Sequence, residues 1–313
     1  MLLRCILLAA ALFLAPAAQA QVKAVASFSI LGDIVKNVGG DRVAVMTLVG
    51  PDGDAHVFQP TPGDAKALAG AQIVFLNGLG FEGWMERLTQ SAGYKGPVVV
   101  ASQGVQAQKM AADDDHKGHA HGHSHAKKDR KDAHDHGALD PHAWQDPRNV
   151  ARYVDNIAAG LAKADPAGEA QYRANADAYK KQLAELDSWA KGELAQVPKQ
   201  KRKVITSHDA FGYFASAYGV AFLAPVGIST DAEPSAKQVA GLIRQIRKEK
   251  TTALFVENIT NPKLIEQIGK ETGVKPGGRL YSDALSKPGA GGDTYLAMLR
   301  HNVAVLKAAM IGS

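Results

Sequence analysis

The chain of 313 residues holds eleven histidines and one cysteine, so side-chain metal chemistry here means imidazole and carboxylate chemistry. Seven histidines (His116, His119, His121, His123, His125, His134 and His136) crowd between Asp113 and Asp140, interleaved with Asp, Lys and Gly. Neutral imidazoles and carboxylates at that density suit a borderline ion such as Zn2+. Almost nothing apolar lies between His116 and Gly137, and such a stretch buries too little surface to fold by itself. Residues 113–138 are therefore expected to form a mobile, solvated loop with accessory metal-binding sites. The plainer reading is a soluble spacer, weakly cationic below about pH 6.5.

Three further histidines, His56, His142 and His208, stand alone in the sequence, and with Asp283 they make a second kind of candidate. Three neutral imidazoles and one carboxylate match the ligand chemistry of Zn2+. Their separations of 86, 66 and 75 residues fit no local metal motif, so spacing alone leaves each open to an ordinary loop role. The last histidine, His301, falls mid-helix between Arg300 and Asn302 and reads as structural.

Short β-branched runs alternate with amphipathic stretches in both halves, which predicts a parallel α/β sheet in each. The strands expected are Val22–Phe28, Val43–Val49, Gln72–Asn77 and Pro97–Ala101, then Lys203–Ser207, Val220–Val226, Ala253–Glu257 and Arg279–Ser282. Ser235 and Gln238 make a capping box ahead of one of the intervening helices. Between the halves, Asp146-Pro147 and Asp165-Pro166 each open a helix. In the second, Tyr172, Ala176, Tyr179, Leu183, Leu186, Ala190 and Leu194 recur at three- and four-residue intervals. That helix reads as a rigid strut joining two lobes; a helical hairpin packed on one domain is the alternative. The organisation expected is 1–20 a signal peptide, 21–165 an amino-terminal α/β lobe, 166–196 the linking helix and 197–313 a carboxy-terminal α/β lobe.

Open parallel sheets bind ligands beyond the carboxyl ends of their strands. His56 follows Val43–Val49, His208 follows Lys203–Ser207 directly, Asp283 follows Arg279–Ser282, and His142 closes the histidine-rich stretch. Each lobe thus offers two candidates to the cleft between them. A helix starting at His208 would favour its neutral imidazole, because the positive helix end opposes protonation. Asp140 and Asp146 precede prolines and suit turns or helix caps, with support of the His142 imidazole a further use for Asp140. Trp144 and Phe211 would seal the cleft from water, and Glu233 and Glu257 lie near strand ends.

The amino terminus reads as a secretory signal: Arg4, an apolar run from Ile6 to Leu14, then Ala18-Gln19-Ala20 for cleavage. The run is too short for a spanning helix. Cys5 lies inside that signal, so the mature chain would carry no disulfide, thiolate ligand or lipid-anchoring cysteine. Removing Arg4 leaves 35 basic against 31 acidic residues, well mixed, which gives a nucleic-acid role little support. A soluble, monomeric protein of the Gram-negative periplasm fits.

Several motifs, in order along the mature chain, resemble one family. They are Asp54-Ala55-His56-Val57-Phe58-Gln59-Pro60-Thr61-Pro62, Asn77-Gly78-Leu79-Gly80-Phe81-Glu82, Leu139-Asp140-Pro141-His142-Ala143-Trp144, Ser207-His208-Asp209-Ala210-Phe211-Gly212-Tyr213 and Tyr281-Ser282-Asp283-Ala284-Leu285-Ser286. The family is the cluster A-I solute-binding proteins of ABC metal importers, of the ZnuA and AztC type. The resemblance implies two α/β lobes joined by a long backbone helix, with the metal held between them. It places the four ligands on His56, His142, His208 and Asp283. Manganese and iron members carry Glu at the third position, whereas this chain has His208, which moves the site toward the nitrogen-rich ligation that Zn2+ tolerates better.

The function expected is capture of Zn2+ and delivery to an ABC transporter membrane permease, with a periplasmic zinc chaperone as a further partner and no bond made or broken. Within the class, the alternative is a manganese or iron binder. From another class comes a secreted zinc hydrolase, since three histidines with an open position also make a catalytic site; no His-Glu-x-x-His motif supports it. A surface adhesin, associated with lipoprotein members, is weakened by the missing lipid-anchor cysteine.

Overall fold

A computed structural model describes residues 20–109, 139–249, 251 and 253–312. The expected signal peptide and the histidines His116, His119, His121, His123, His125, His134 and His136 lie outside the described residues.

Two four-stranded parallel sheets form the two lobes. The first contains β1 (Val22–Phe28), β2 (Val43–Val49), β3 (Ile73–Leu76) and β4 (Val98–Val100), in the order β2-β1-β3-β4. The second contains β5 (Lys203–Ile205), β6 (Ala221–Leu223), β7 (Ala253–Glu257) and β8 (Pro276–Leu280), in the order β6-β5-β7-β8. The two orders are the same, so each lobe has its topological switch beside its first strand. Ala24 to Phe28 are all buried, as a continuous apolar run covered on both faces requires.

In the first lobe the helices are α1 (Ser29–Gly39), α2 (Pro62–Ala69) and α3 (Met85–Ser91). Between the lobes run α4 (Pro147–Ala164) and α5 (Glu169–Ala195), and the second lobe holds α6 (Gly212–Tyr218), α7 (Ala236–Glu249), α8 (Lys263–Thr272) and α9 (Tyr295–Gly312). The α5 stripe from Tyr172 to Leu194 is buried as its periodicity predicts. Its 27 residues span about 40 Å at 1.5 Å per residue. It packs on α1 and α4 on one side and on α6 and α9 on the other. The helix therefore joins the two lobes as a strut: α4 pairs with α5, but α5 also braces the second lobe, so the pair is not a hairpin packed on one domain. The Ser235–Gln238 capping box forms, with Ser235 N donating to Gln238 Oε1 at 2.8 Å and Gln238 N to Ser235 Oγ at 3.3 Å. No helix among the described residues is long and apolar enough to cross a membrane.

The last strand departs from expectation. It begins at Pro276 and ends at Leu280, because Gly277 and Gly278, the latter at φ +127°, carry it past Phe255 with a register shift. Pattern alone hides a strand that opens Pro-Gly-Gly. Tyr281 to Asp283 leave the sheet instead of continuing it. Asn302 of α9 claims both backbone groups of Tyr281, accepting its N–H at 2.9 Å and donating to its carbonyl at 2.7 Å.

Candidate metal centre

His56, His208 and Asp283 stand on segments that follow strands, and His142 on the segment that leads into α4. His56 lies in the segment after β2, where Asp52 adopts φ +57° and the Asp54 carboxylate accepts the His56 backbone N–H at 2.9 Å. Asp54 also receives the Thr230 hydroxyl at 2.6 Å, joining the loops of the two lobes. His142 precedes the 310 turn Ala143–Gln145 that leads into α4. Asp140 Oδ1 accepts its backbone N–H at 2.9 Å and lies 2.8 Å from its Nδ1. His208 follows β5, and Asp283 follows β8.

The expected helix start at His208 is not what forms. The Asp209 N–H donates to the carbonyls of Val226 and Gly227, tying the turn to the segment after β6 and delaying α6 until Gly212. Helix-end electrostatics therefore do not govern His208. Its neighbour is Glu257, the last residue of β7: Oε1 accepts the backbone N–H of Ser207 at 2.7 Å and of His208 at 2.9 Å, and Oε2 approaches His208 Nδ1 to 2.5 Å.

The ligand atoms converge. His56 Nε2 is 3.3 Å from His142 Nε2 and 3.1 Å from Asp283 Oδ2. His208 Nε2 is 3.1 Å from the same oxygen, His142 Nε2 is 3.6 Å from Asp283 Oδ1, and one donor atom from each residue lies within 4.8 Å of the others. A tetrahedral ion bound at about 2.05 Å sets ligand-to-ligand edges of roughly 3.3 Å, close to most of these separations. His142, His208 and Asp283 are fully buried, and the His56 side chain is 5% exposed. Both Asp283 oxygens and Nε2 of His208 have no aligned hydrogen-bond partner despite these short approaches. Buried polar atoms are normally paired; here they face a common point instead of one another, which is the geometry of a cation site.

Charge within the cluster is strongly coupled. Burial pushes His142 down, but the Asp283 charge and the Asp140 hydrogen bond overcome it and raise its pKa to about 9. Burial likewise opposes charge on His208, and the Glu257 and Asp283 carboxylates outweigh it, holding the imidazole well above its ordinary value. Burial would raise Asp283, yet the two imidazoles hold it well below the usual carboxylate range. The direction at His208 is set by the neighbouring carboxylates and opposes the neutral form that a helix start there would have favoured.

Among the flanking residues, Trp144 packs its ring 5.2 Å from that of His142. Phe81 lies 4.8 Å from His56 and closes the opposite side; it belongs to the Asn77–Glu82 motif, where the sequence assigned it no role at the site. Phe211 is buried against Phe222 and is not in ring contact with the cluster. Asp146 caps α4, accepting the Arg148 N–H at 2.9 Å. Glu233 is exposed and lines a neighbouring cavity of about 410 Å³ with Asp54, Ser207, Thr230 and Lys263. His301 lies 3.0 Å from the Arg279 carbonyl, far from the centre in role.

Comparison with known proteins agrees with this architecture. Residues 24–309 match the family ZnuA, described as the zinc-uptake complex component A, periplasmic. The manganese-binding lipoprotein MntA of Halalkalibacterium halodurans is 32% identical over 282 residues, 90% of this chain and 86% of its own. The manganese ABC transporter substrate-binding lipoprotein PsaA of Streptococcus pneumoniae is 30% identical over 90% of this chain and 87% of its own. In structure, the periplasmic zinc binding protein TroA from Treponema pallidum superposes with a TM-score of 0.80 at 27% identity, covering 93% of this chain and 99% of TroA. A Mn-bound periplasmic metal binding protein from candidatus liberibacter asiaticus gives a TM-score of 0.77 at 27% identity, covering 93% of this chain and all of its own.

Proposed function

Because this chain belongs to the ZnuA family of metal-binding, non-enzymatic solute-binding proteins of ABC importers, we propose that it captures Zn2+ outside the cytoplasm between its two lobes and hands it to a membrane permease. The hydrolase alternative falls with the family. The observation that carries the zinc reading is the donor set: three imidazole Nε2 atoms and one carboxylate within 4.8 Å of one another. Exchanging a carboxylate for an imidazole favours the borderline-soft Zn2+ over Mn2+. The proposed ligands are His56, His142, His208 and Asp283.

A second reading has its own support. The relatives MntA and PsaA are named for manganese, and on those names the manganese alternative is the better backed. Both Asp283 oxygens face imidazoles, so a bidentate carboxylate and a fifth ligand atom are open to either metal. Competition between Zn2+ and Mn2+ on metal-stripped protein decides: tighter zinc binding is expected, and preference for Mn2+ would overturn the zinc reading.

We further propose cleavage after Ala20 to give a released periplasmic monomer, although relatives such as MntA are lipoproteins; a mature amino terminus carrying lipid would contradict this. The domain boundaries 21–165, 166–196 and 197–313 and a chaperone partner stand as proposals of the same kind. The histidines between 113 and 138 are proposed as additional, weaker zinc sites. A deletion of residues 113–138 that binds as many zinc ions as the full chain would rule them out.

A further inference from the structure

Two of the three imidazoles are gripped from behind by carboxylates, and the two grips differ. Asp140 uses one oxygen, Oδ1, for both the backbone N–H and the Nδ1 of His142. Glu257 uses two: Oε1 takes the backbone N–H groups of Ser207 and His208, and Oε2 is left 2.5 Å from His208 Nδ1. Glu257 is 1% exposed, so no bulk water competes for either oxygen.

We propose that Glu257 is the positioning residue that makes His208 a ligand: with Oε1 anchoring the turn, Oε2 accepts the Nδ1 proton and commits the imidazole to the tautomer whose Nε2 lone pair faces Asp283 and the ion. This rests on the reading of His208 as a ligand of the captured metal. A neutral imidazole carries one N–H, and the partner of one nitrogen fixes the state of the other. Outer carboxylates of this kind hold ligating imidazoles and strengthen them as donors.

The division of labour between the two oxygens makes an unusual order of variants. Glutamine has nearly the shape of glutamate but only one acceptor oxygen. In E257Q the two backbone N–H groups claim that oxygen, since turning the amide NH2 toward them would set donor against donor. The NH2 then faces Nδ1, which accepts from it, and the imidazole proton moves to Nε2, the nitrogen meant for the metal. E257A removes the instruction without reversing it. For metal affinity, the conservative variant is therefore the worse one. For stability of the metal-free protein the order inverts, because alanine leaves two buried N–H groups unpaired and opens a cavity. At Asp140 the single oxygen of asparagine still serves both donors, so D140N loses less than E257Q.

The test uses the full chain as wild type, E257Q, E257A, D140N and H208A. Zn2+ and Mn2+ affinities come from chelator competition, thermal midpoints from metal-free samples, and imidazole tautomers from long-range 1H–15N NMR. E257Q is expected to weaken zinc binding about 10–100-fold, more than E257A does, with Nε2–H as the neutral His208 tautomer and the higher thermal midpoint of the two. Affinity lost equally or more in E257A, or Nδ1–H retained as the neutral His208 tautomer in E257Q, overturns the proposal. H208A with unchanged affinity for both metals removes its premise and overturns it as well. Wild-type preference for Mn2+ overturns only the zinc reading, and the E257Q-below-E257A order is then read with Mn2+.

Discussion

The indole N–H of Trp144 donates to the carbonyl of Ser282 at 2.9 Å. Trp144 lies two residues beyond His142 and Ser282 one residue before Asp283, so this bond ties a ligand of the first lobe to a ligand of the second. Gln145 Nε2 reaches the same carbonyl at 2.8 Å, and Tyr295 OH donates to the Trp144 carbonyl at 2.8 Å. On this side of the cleft the lobes are joined by buried bonds, and His142 and Asp283 are a pre-set pair.

Trp144→Phe keeps most of the buried ring and removes one donor, while Gln145 still satisfies the carbonyl. A stability loss of about 0.5–1.5 kcal/mol is expected, with zinc affinity falling several-fold as Asp283 loosens. Urea unfolding of the metal-free protein and chelator competition read the two effects, and unchanged affinity would show that the bond does not set Asp283.

On the His56 side of the cleft, Thr230 Oγ1 donates to Asp54 Oδ2 at 2.6 Å, beside two bonds at Asp52, which accepts from Asn258 Nδ2 at 3.0 Å and donates its backbone N–H to the Leu285 carbonyl at 2.9 Å. The same carboxylate fixes the His56 backbone, so release of Thr230 loosens the end of the loop next to His56 while the Asp52 bonds keep its start in place. Thr230→Val is expected to speed zinc dissociation several-fold with little change in the association rate, as stopped-flow transfer to a chelator would show. An unaltered dissociation rate would leave the contact without a part in retention.

The cluster predicts opposite pH trends for stability and for metal binding. His142, raised to about 9, and His208, raised well above its ordinary 6.5, contribute stability that is complete below pH 6.5. That of His142 is lost as pH rises through about 9, and that of His208 is lost as pH climbs well past 6.5. Asp283, held below its ordinary 3.8, contributes above pH 3.8, and its share is lost as pH falls through its lowered value. The metal-free thermal midpoint should therefore decline between pH 6.5 and 9. Zinc affinity should rise over the same window, because the ligating imidazoles must shed protons. Calorimetry in two buffers of different ionisation enthalpy should find about two protons released per zinc at pH 7.

Replacing His208 with glutamate tests what the third ligand decides. The H208E carboxylate would face Glu257, so the informative variant is H208E/E257Q, where the amide introduced by the second substitution can donate to it. The Mn2+-to-Zn2+ affinity ratio is expected to rise at least tenfold over wild type by the exchange of imidazole for carboxylate. A constant ratio in metal competition would mean that the third ligand does not carry selectivity.

Much of this was legible beforehand. The strands Val22–Phe28, Val43–Val49 and Ala253–Glu257 coincide with apolar β-branched runs, and the α5 stripe follows from its 3.6-residue period. Positions just beyond strand ends brought His56, His208 and Asp283 forward, and the motifs around them pointed to one family. Periodicity could not reach Asn302, whose role depends on meeting the backbone of Tyr281 twenty-one positions away. Nor could it show that residues 208–211 form a turn tied to Val226 in place of a helix start.

The amino-acid sequence by itself determined the chemistry available: imidazoles and carboxylates without thiols, two α/β halves, and a helix long enough to serve both. It did so because composition and hydrophobic period are local properties. Which of the eleven histidines share one buried point was decided by the tertiary structure, through strand order and the bonds that pin Asp283 against His142. The charge states were decided there too. Carboxylates at Asp140, Glu257 and Asp283 meet the rings of His142 and His208 from different strands and loops, and the field at a buried imidazole depends on distance in space.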